Sequence, residues 1–235
     1  WSIPNVTVFD DDVITVFVDG ATTTDEAVAV TVYDGSPDIP GLRLQKRHLT
    51  IGSDDYETIT NTHLSLYDFT HDEDIFFNVD GGNDLTMCAD TGCGDASIRI
   101  LSQNTYAPGT GADIVTHDVR IDGSFVPGAN TVRVNGSWDN NATTTMTGST
   151  VVFTATSSSE GIDTTGASVA TFNNVTLGET SGTATWTASS SLDIDGNLAV
   201  TYGTLQRGTQ AVSVAGNLTT GTGGFWSGMG TTTFD

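Results

Sequence analysis

The residues best suited to chemistry in this chain are acids set on turns. Asp10-Asp11-Asp12, His71-Asp72-Glu73-Asp74, Asp80-Gly81-Gly82-Asn83-Asp84 and the pair Asp90 and Asp95 offer the oxygen ligands that hard cations require. Asp80, Asn83 and Asp84 form the first-choice loop for a calcium ion, the one cofactor the sequence suggests. None of these stretches follows the EF-hand loop or the glycine-rich calcium-binding repeat. Asp and Asn also begin turns and keep a β-rich surface hydrated, so a purely structural reading stands beside the calcium one.

Catalytic grammar is missing. His48, His63, His71 and His117 are scattered, and only His71 has several acids beside it. Gly178-Glu179-Thr180-Ser181-Gly182 misses the spacing of a nucleophile elbow by one residue. Gly221 to Gly224 is glycine-rich, but no helix follows to present amides to a phosphate, so it reads as a turn. Acids for glycoside hydrolysis are plentiful, yet abundance singles out no acid and no base. No catalytic residues are assigned, and the chain is read as a non-enzyme.

Cys88 and Cys93 lie five apart in a turn-rich stretch, where a small-loop disulfide would form in an oxidising compartment. Trp138, Trp186 and Trp226 read as core or coil-capping residues, with sugar-stacking platforms as the alternative. Asn-x-Ser/Thr sequons stand at Asn5, Asn135, Asn141, Asn174 and Asn217.

The elements that must position these residues are strands. Thr, Ser, Gly, Val and Asn dominate and long helix formers are scarce, which sets the class as all-β. Seven Lys and Arg against 29 Asp and Glu give a formal charge of -22, so nucleic acid and anionic membrane faces are excluded as partners. No apolar stretch is long enough to insert into a membrane, and the opening Trp1-Ser2-Ile3-Pro4 has the look of a processed or excised chain. Residues 1–118 hold 21 of the 29 acids, which predicts a boundary near Asp118 between an acidic β domain and a second β domain over 119–235.

In the first half, Val13 to Val18 and Ala27 to Tyr33 alternate in character and are closed by Asp-Gly, as strands entering tight turns are. Further strands are expected at Arg47 to Ile51, Thr62 to Tyr67, Ile75 to Val79 and Ser97 to Leu101. In the second half, Val119 to Phe125 echoes Leu192 to Leu198, and Val134 to Trp138 echoes Val214 to Leu218. The offsets are 73 residues between Gly123 and Gly196 and 80 between Gly136 and Gly216, which predicts two related units of about 75 to 80 residues. The fold expected is a β-solenoid or a stack of β-sandwich repeats, with two Ig-like β-sandwich domains as the alternative.

The stretches Ala170 to Leu177, Ser191 to Leu198, Val212 to Thr219 and Gly230 to Asp235 together resemble tandem β-repeat regions of very long secreted bacterial surface proteins and adhesins. That resemblance covers about residues 119 to 235 and implies a stalk exposed at the cell surface, outside the cell.

Function is therefore expected in assembly rather than chemistry. The opening Val6-Thr7-Val8-Phe9-Asp10 has the form of Thr231-Thr232-Thr233-Phe234-Asp235, and the two segments would pair head to tail into a homopolymer. Two other readings remain open: an adhesin that binds glycans or another cell, and a polysaccharide-active β-helix enzyme.

Overall fold

The computed structural model describes residues 7–36, 38–89, 94–142, 144–166 and 171–234. It is almost all β and winds into a β-solenoid of about nine turns. Parallel pairing decides against the Ig-like alternative and against stacked sandwiches, whose strands run antiparallel.

Each coil visits three faces in the same order. Face 1 stacks Val28–Val32, His48–Ile51, Ser97–Ile100, Val119–Ile121, Trp138–Asn140, Ser159–Asp163 and Thr185–Ala188, all parallel. Face 2 carries Thr58–Ile59, Thr105–Tyr106 and Ser124–Phe125, and further on Thr171–Phe172, Leu192–Ile194, Val212–Val214 and Thr232–Phe234. Face 3 carries Leu85–Met87, Ile114–Thr116, Thr131–Val134, Thr150–Phe153 and Asn174–Leu177. The strands Leu198–Gln206 and Leu218–Ser227 turn from face 3 onto face 1 without a break, so the two faces join in one sheet.

Period-2 patterning explains the winding. In Thr131–Val134 the valines point inward and are fully buried while Thr131 and Arg133 face outward. In-register stacking then lines like with like: Leu49, Ile98, Val119, Trp138 and Ile162 form one inward column of face 1. Ile51, Ile100 and Ile121 form another, which ends on buried Asn140. That amide is satisfied locally, donating to the Thr144 hydroxyl and accepting from the Ala142 N–H. Each fully buried apolar side chain contributes about 1.5–3 kcal/mol, and one column serves every coil it passes through.

The echoed motifs turn out to be corners. Val119 to Phe125 crosses from face 1 to face 2, whereas Leu192 to Leu198 crosses from face 2 to face 3. Val134 to Trp138 and Val214 to Leu218 likewise occupy two different corners. In each, two inward apolar residues flank a short turn whose glycine lies against the neighbouring coil: a Cβ on Gly123 would overlap the Leu101 carbonyl, and one on Gly136 the Asp118 carboxylate. The 73- and 80-residue offsets thus relate corner to corner. The coil step itself is 21 residues from Leu49's neighbour Val28, 21 from Ile98 to Val119 and 19 from there to Trp138.

Hydrogen bonding runs without interruption across residue 118: Ser97–Ile100 pairs with Val119–Ile121, and Ile114–Thr116 with Thr131–Val134. The shift in charge at that point has no counterpart in the ladder. Two local expectations are corrected. Thr62 to Tyr67 is no strand; Thr60 caps a helical turn at Asn61–Leu64 by accepting from the His63 N–H. Gly221 to Gly224 is no turn either, but the middle of the strand Leu218–Ser227, where a Cβ on Gly224 would overlap the Val200 carbonyl of the coil beneath.

Candidate functional site

The two ends of the coil stack differ. At the N-terminal end, Val13–Phe17 runs antiparallel onto Val28–Val32 as the last strand of face 1, while Phe77–Val79 runs antiparallel onto Leu85–Met87 as the last strand of face 3. The outer edge of Phe77–Val79 is itself covered: Phe69 donates its N–H to the Phe77 carbonyl, and Val79 donates to the Asp68 carboxylate. Asp68 is almost fully buried and also accepts from the Thr70 N–H and hydroxyl, with His71 Nδ1 3.1 Å away. Burial by itself would raise its pKa; the hydrogen bonds from Thr70, Val79 and His71 outweigh burial and hold it below the usual carboxylate range. Phe17, Tyr67 and His71 stack in series under this cap.

The C-terminal end has no such closure among the described residues. Leu218–Ser227 and Thr232–Phe234 each pair on one side only. Phe225, Met229 and Phe234 are 64, 90 and 63% exposed there. Arg207 lies buried beside them, its guanidinium 5.2 Å from the Trp226 ring centroid, with Nε and Nη1 lacking an acceptor among the described residues. Among the described residues this coil thus presents unpaired strand edges, exposed apolar side chains and one buried cation without an acceptor.

Of the residues expected to assemble, Thr232, Thr233 and Phe234 form that last strand, and Thr231 directly precedes it, accepting from the Val212 N–H. Val6 and Asp235 lie outside the described residues. Thr7, Val8 and Phe9 belong to no strand; Phe9 ends in a turn, donating its N–H to the Asp12 carboxylate and accepting from the Asp12 N–H.

Asp80, Asn83 and Asp84 form the hairpin turn between Phe77–Val79 and Leu85–Met87. Asp80 Oδ1 accepts from the Gly82 and Asp84 N–H groups, and Asp84 Oδ1 from that of Asp113. Among the described residues no three His, Cys, Asp or Glu side chains converge as a metal site. Cys88 packs against the core; Cys93, and with it the expected Cys88–Cys93 bridge, lies outside the described residues.

Folding also gathers residues that no sequence motif joined. At the corner between faces 3 and 1, His117 Nδ1 sits 3.1 Å from Asp118 Oδ1, with Asp95 and Glu160 near. The contact with Asp118 holds the imidazole pKa up against burial. Ser97 Oγ hydrogen-bonds the Asp95 carbonyl and Asp118, accepting from its N–H, and Ser137 Oγ hydrogen-bonds Glu160, with neither hydroxyl on the imidazole, so the hydrogen bonds of this node tie successive coils together.

Between faces 1 and 2, Arg43, Asp54, Tyr56, Arg99, Gln103, Arg120 and Asp122 surround an open groove of about 400 Å³ floored by Leu101. Arg99 and Arg120 are outward neighbours on adjacent strands and share Asp122. Asp122 is held low in pKa by these guanidiniums, against burial. The signal for this pairing was the recurrence of apolar-Arg-apolar at Ile98-Arg99-Ile100 and Val119-Arg120-Ile121, one coil apart. No family model, curated protein or solved structure matches the chain.

Proposed function

We propose that this chain is a structural, non-enzymatic segment of an extracellular surface stalk or filament. The observation that carries the reading is the inequality of its ends: one where antiparallel strands end the ladders and a loop held by a buried acid covers the edge of Phe77–Val79, the other with unpaired edges and exposed aromatic residues among the described residues. A solenoid grows by stacking coil on coil, so the strand edges of Leu218–Ser227 and Thr232–Phe234, with exposed aromatic residues beside them, offer a surface on which a further coil can stack. In this reading that coil belongs to a second copy of the chain. At the N-terminal end Val13–Phe17 terminates the face 1 ladder and pairs on one side only among the described residues, as Thr58–Ile59 does on face 2. The strand Leu218–Ser227 of one copy would add to the Val13–Phe17 edge of the next, continuing face 1 from molecule to molecule. Location outside the cell is supported by the resemblance of residues 119 to 235 to secreted surface repeats.

Light scattering and electron microscopy over a rising concentration series test this. The native chain forms rods, while a Phe225→Lys, Phe234→Lys double variant stays monomeric with an unchanged melting temperature. Both side chains are exposed, so neither substitution touches the core. A native chain that remains monomeric throughout sinks the proposal.

A further inference from the structure

We propose that the groove at the corner of faces 1 and 2 binds a carboxylate-bearing saccharide, such as a chain of uronic acid units. The chain has only six arginines in a field of 29 acids, and three of them, Arg43, Arg99 and Arg120, line this one groove. Asp54 and Asp122 line it too, so the arginines outnumber the carboxylates by one, in a protein of charge -22 whose acids outnumber its cations about fourfold overall.

The arginines are not equivalent. Arg99 is spent, donating to Asp122 through Nε and Nη2 and to Gln45 through Nη1. Arg120 directs Nε to Asp122 and Nη1 towards Asp139, which leaves Nη2. Arg43 is exposed and has no ion pair or hydrogen bond from its side chain among the described residues. Arg99 and Asp122 therefore build the wall, and Arg43 with Arg120 present free donors in the planar geometry that suits a carboxylate.

Two more features favour a sugar over a simple anion. Tyr56 is 50% exposed at the rim and offers an aromatic face, the usual platform for a pyranose ring. Its backbone sits at φ 54°, and Gln103, whose amide donates to the Tyr56 hydroxyl at 3.3 Å, sits at φ 69°. Two touching non-glycine residues held in the left-handed region are costly, and such strain collects at ligand sites. Asp54, Ser102 and Gln103 supply polar groups for ring hydroxyls. The lining comes from three successive coils, from the segments flanking His48–Ile51 and from the strands Ser97–Ile100 and Val119–Ile121 with the residues after them, about 10 Å along the axis.

Calorimetric titration of the intact chain at low salt tests the site, using oligogalacturonate, a neutral cello-oligosaccharide of equal length, and acetate. Oligogalacturonate binds, and the other two do not. Arg43→Ala and Tyr56→Asn each weaken binding at least about tenfold, with melting temperature held; Asn tolerates the left-handed backbone at position 56. Absence of oligogalacturonate binding, equal binding of the neutral oligomer or of acetate, or native affinity in both variants overturns the proposal.

Discussion

Asp68 shows what one buried carboxylate can hold in place. It accepts from a strand end, a loop N–H and a hydroxyl at once, and so fastens the loop that shields the edge at Phe77–Val79. Replacing it by Asn turns one acceptor atom into a donor facing N–H groups, a loss of about 3 kcal/mol in urea unfolding. Its folded pKa lies below the unfolded one, so its contribution is complete above the ordinary carboxylate range and disappears as pH falls through the lower, folded value. Acid titration of Tyr67 fluorescence, a ring stacked on His71 beside Asp68, should therefore report cap loosening that the Asp68→Asn variant no longer shows with the same pH dependence. None of this was legible in the sequence, where Asp68 stood in no cluster. Its role depends on a chain reversal that brings it to Val79, eleven residues on. The acids that did stand out, Asp80 and Asp84, are committed to backbone N–H groups of their own turn and of Asp113.

At the scale of elements, the corners decide the fold. Gly123→Ala would push a methyl into the Leu101 and Asn104 carbonyls of the coil below and cost about 3 kcal/mol. Gly81→Ala, at a hairpin tip where a Cβ meets nothing within 4 Å, should be nearly neutral, and paired urea titrations of the two variants check this contrast. The strands themselves were readable, since alternation over Val13 to Val18, Ala27 to Tyr33 and Ser97 to Leu101 predicted Val13–Phe17, Val28–Val32 and Ser97–Ile100. The coil period was not. All three corners use the same apolar-x-Gly-x-apolar pattern, so corners on different faces imitate a longer repeat, and the excursion between Ile59 and Leu85 interrupts the step early on. Thr62 to Tyr67 misled for a different reason: a capping hydroxyl at Thr60 outweighed the pattern of the residues after it.

The whole molecule is a rod carrying far more negative charge than its few ion pairs offset. Self-repulsion opposes the compact state, so raising NaCl from about 10 mM to about 300 mM should raise the melting temperature by several degrees in differential scanning calorimetry. An unchanged or falling value would mean that the Arg99–Asp122 and Arg133–Glu179 contacts outweigh the repulsion. The stacking also has a mechanical corollary. Because the strands lie across the axis, tension applied between the two ends pulls neighbouring coils apart bond by bond instead of shearing a whole ladder at once. A coil of 21 residues, such as that between Ile98 and Val119, adds about 4.8 Å to the folded length but releases about 70 Å of chain once peeled. A load too great for the intact rod would thus be absorbed in steps, each lengthening the molecule more than tenfold over the coil it consumes, with the rest still wound.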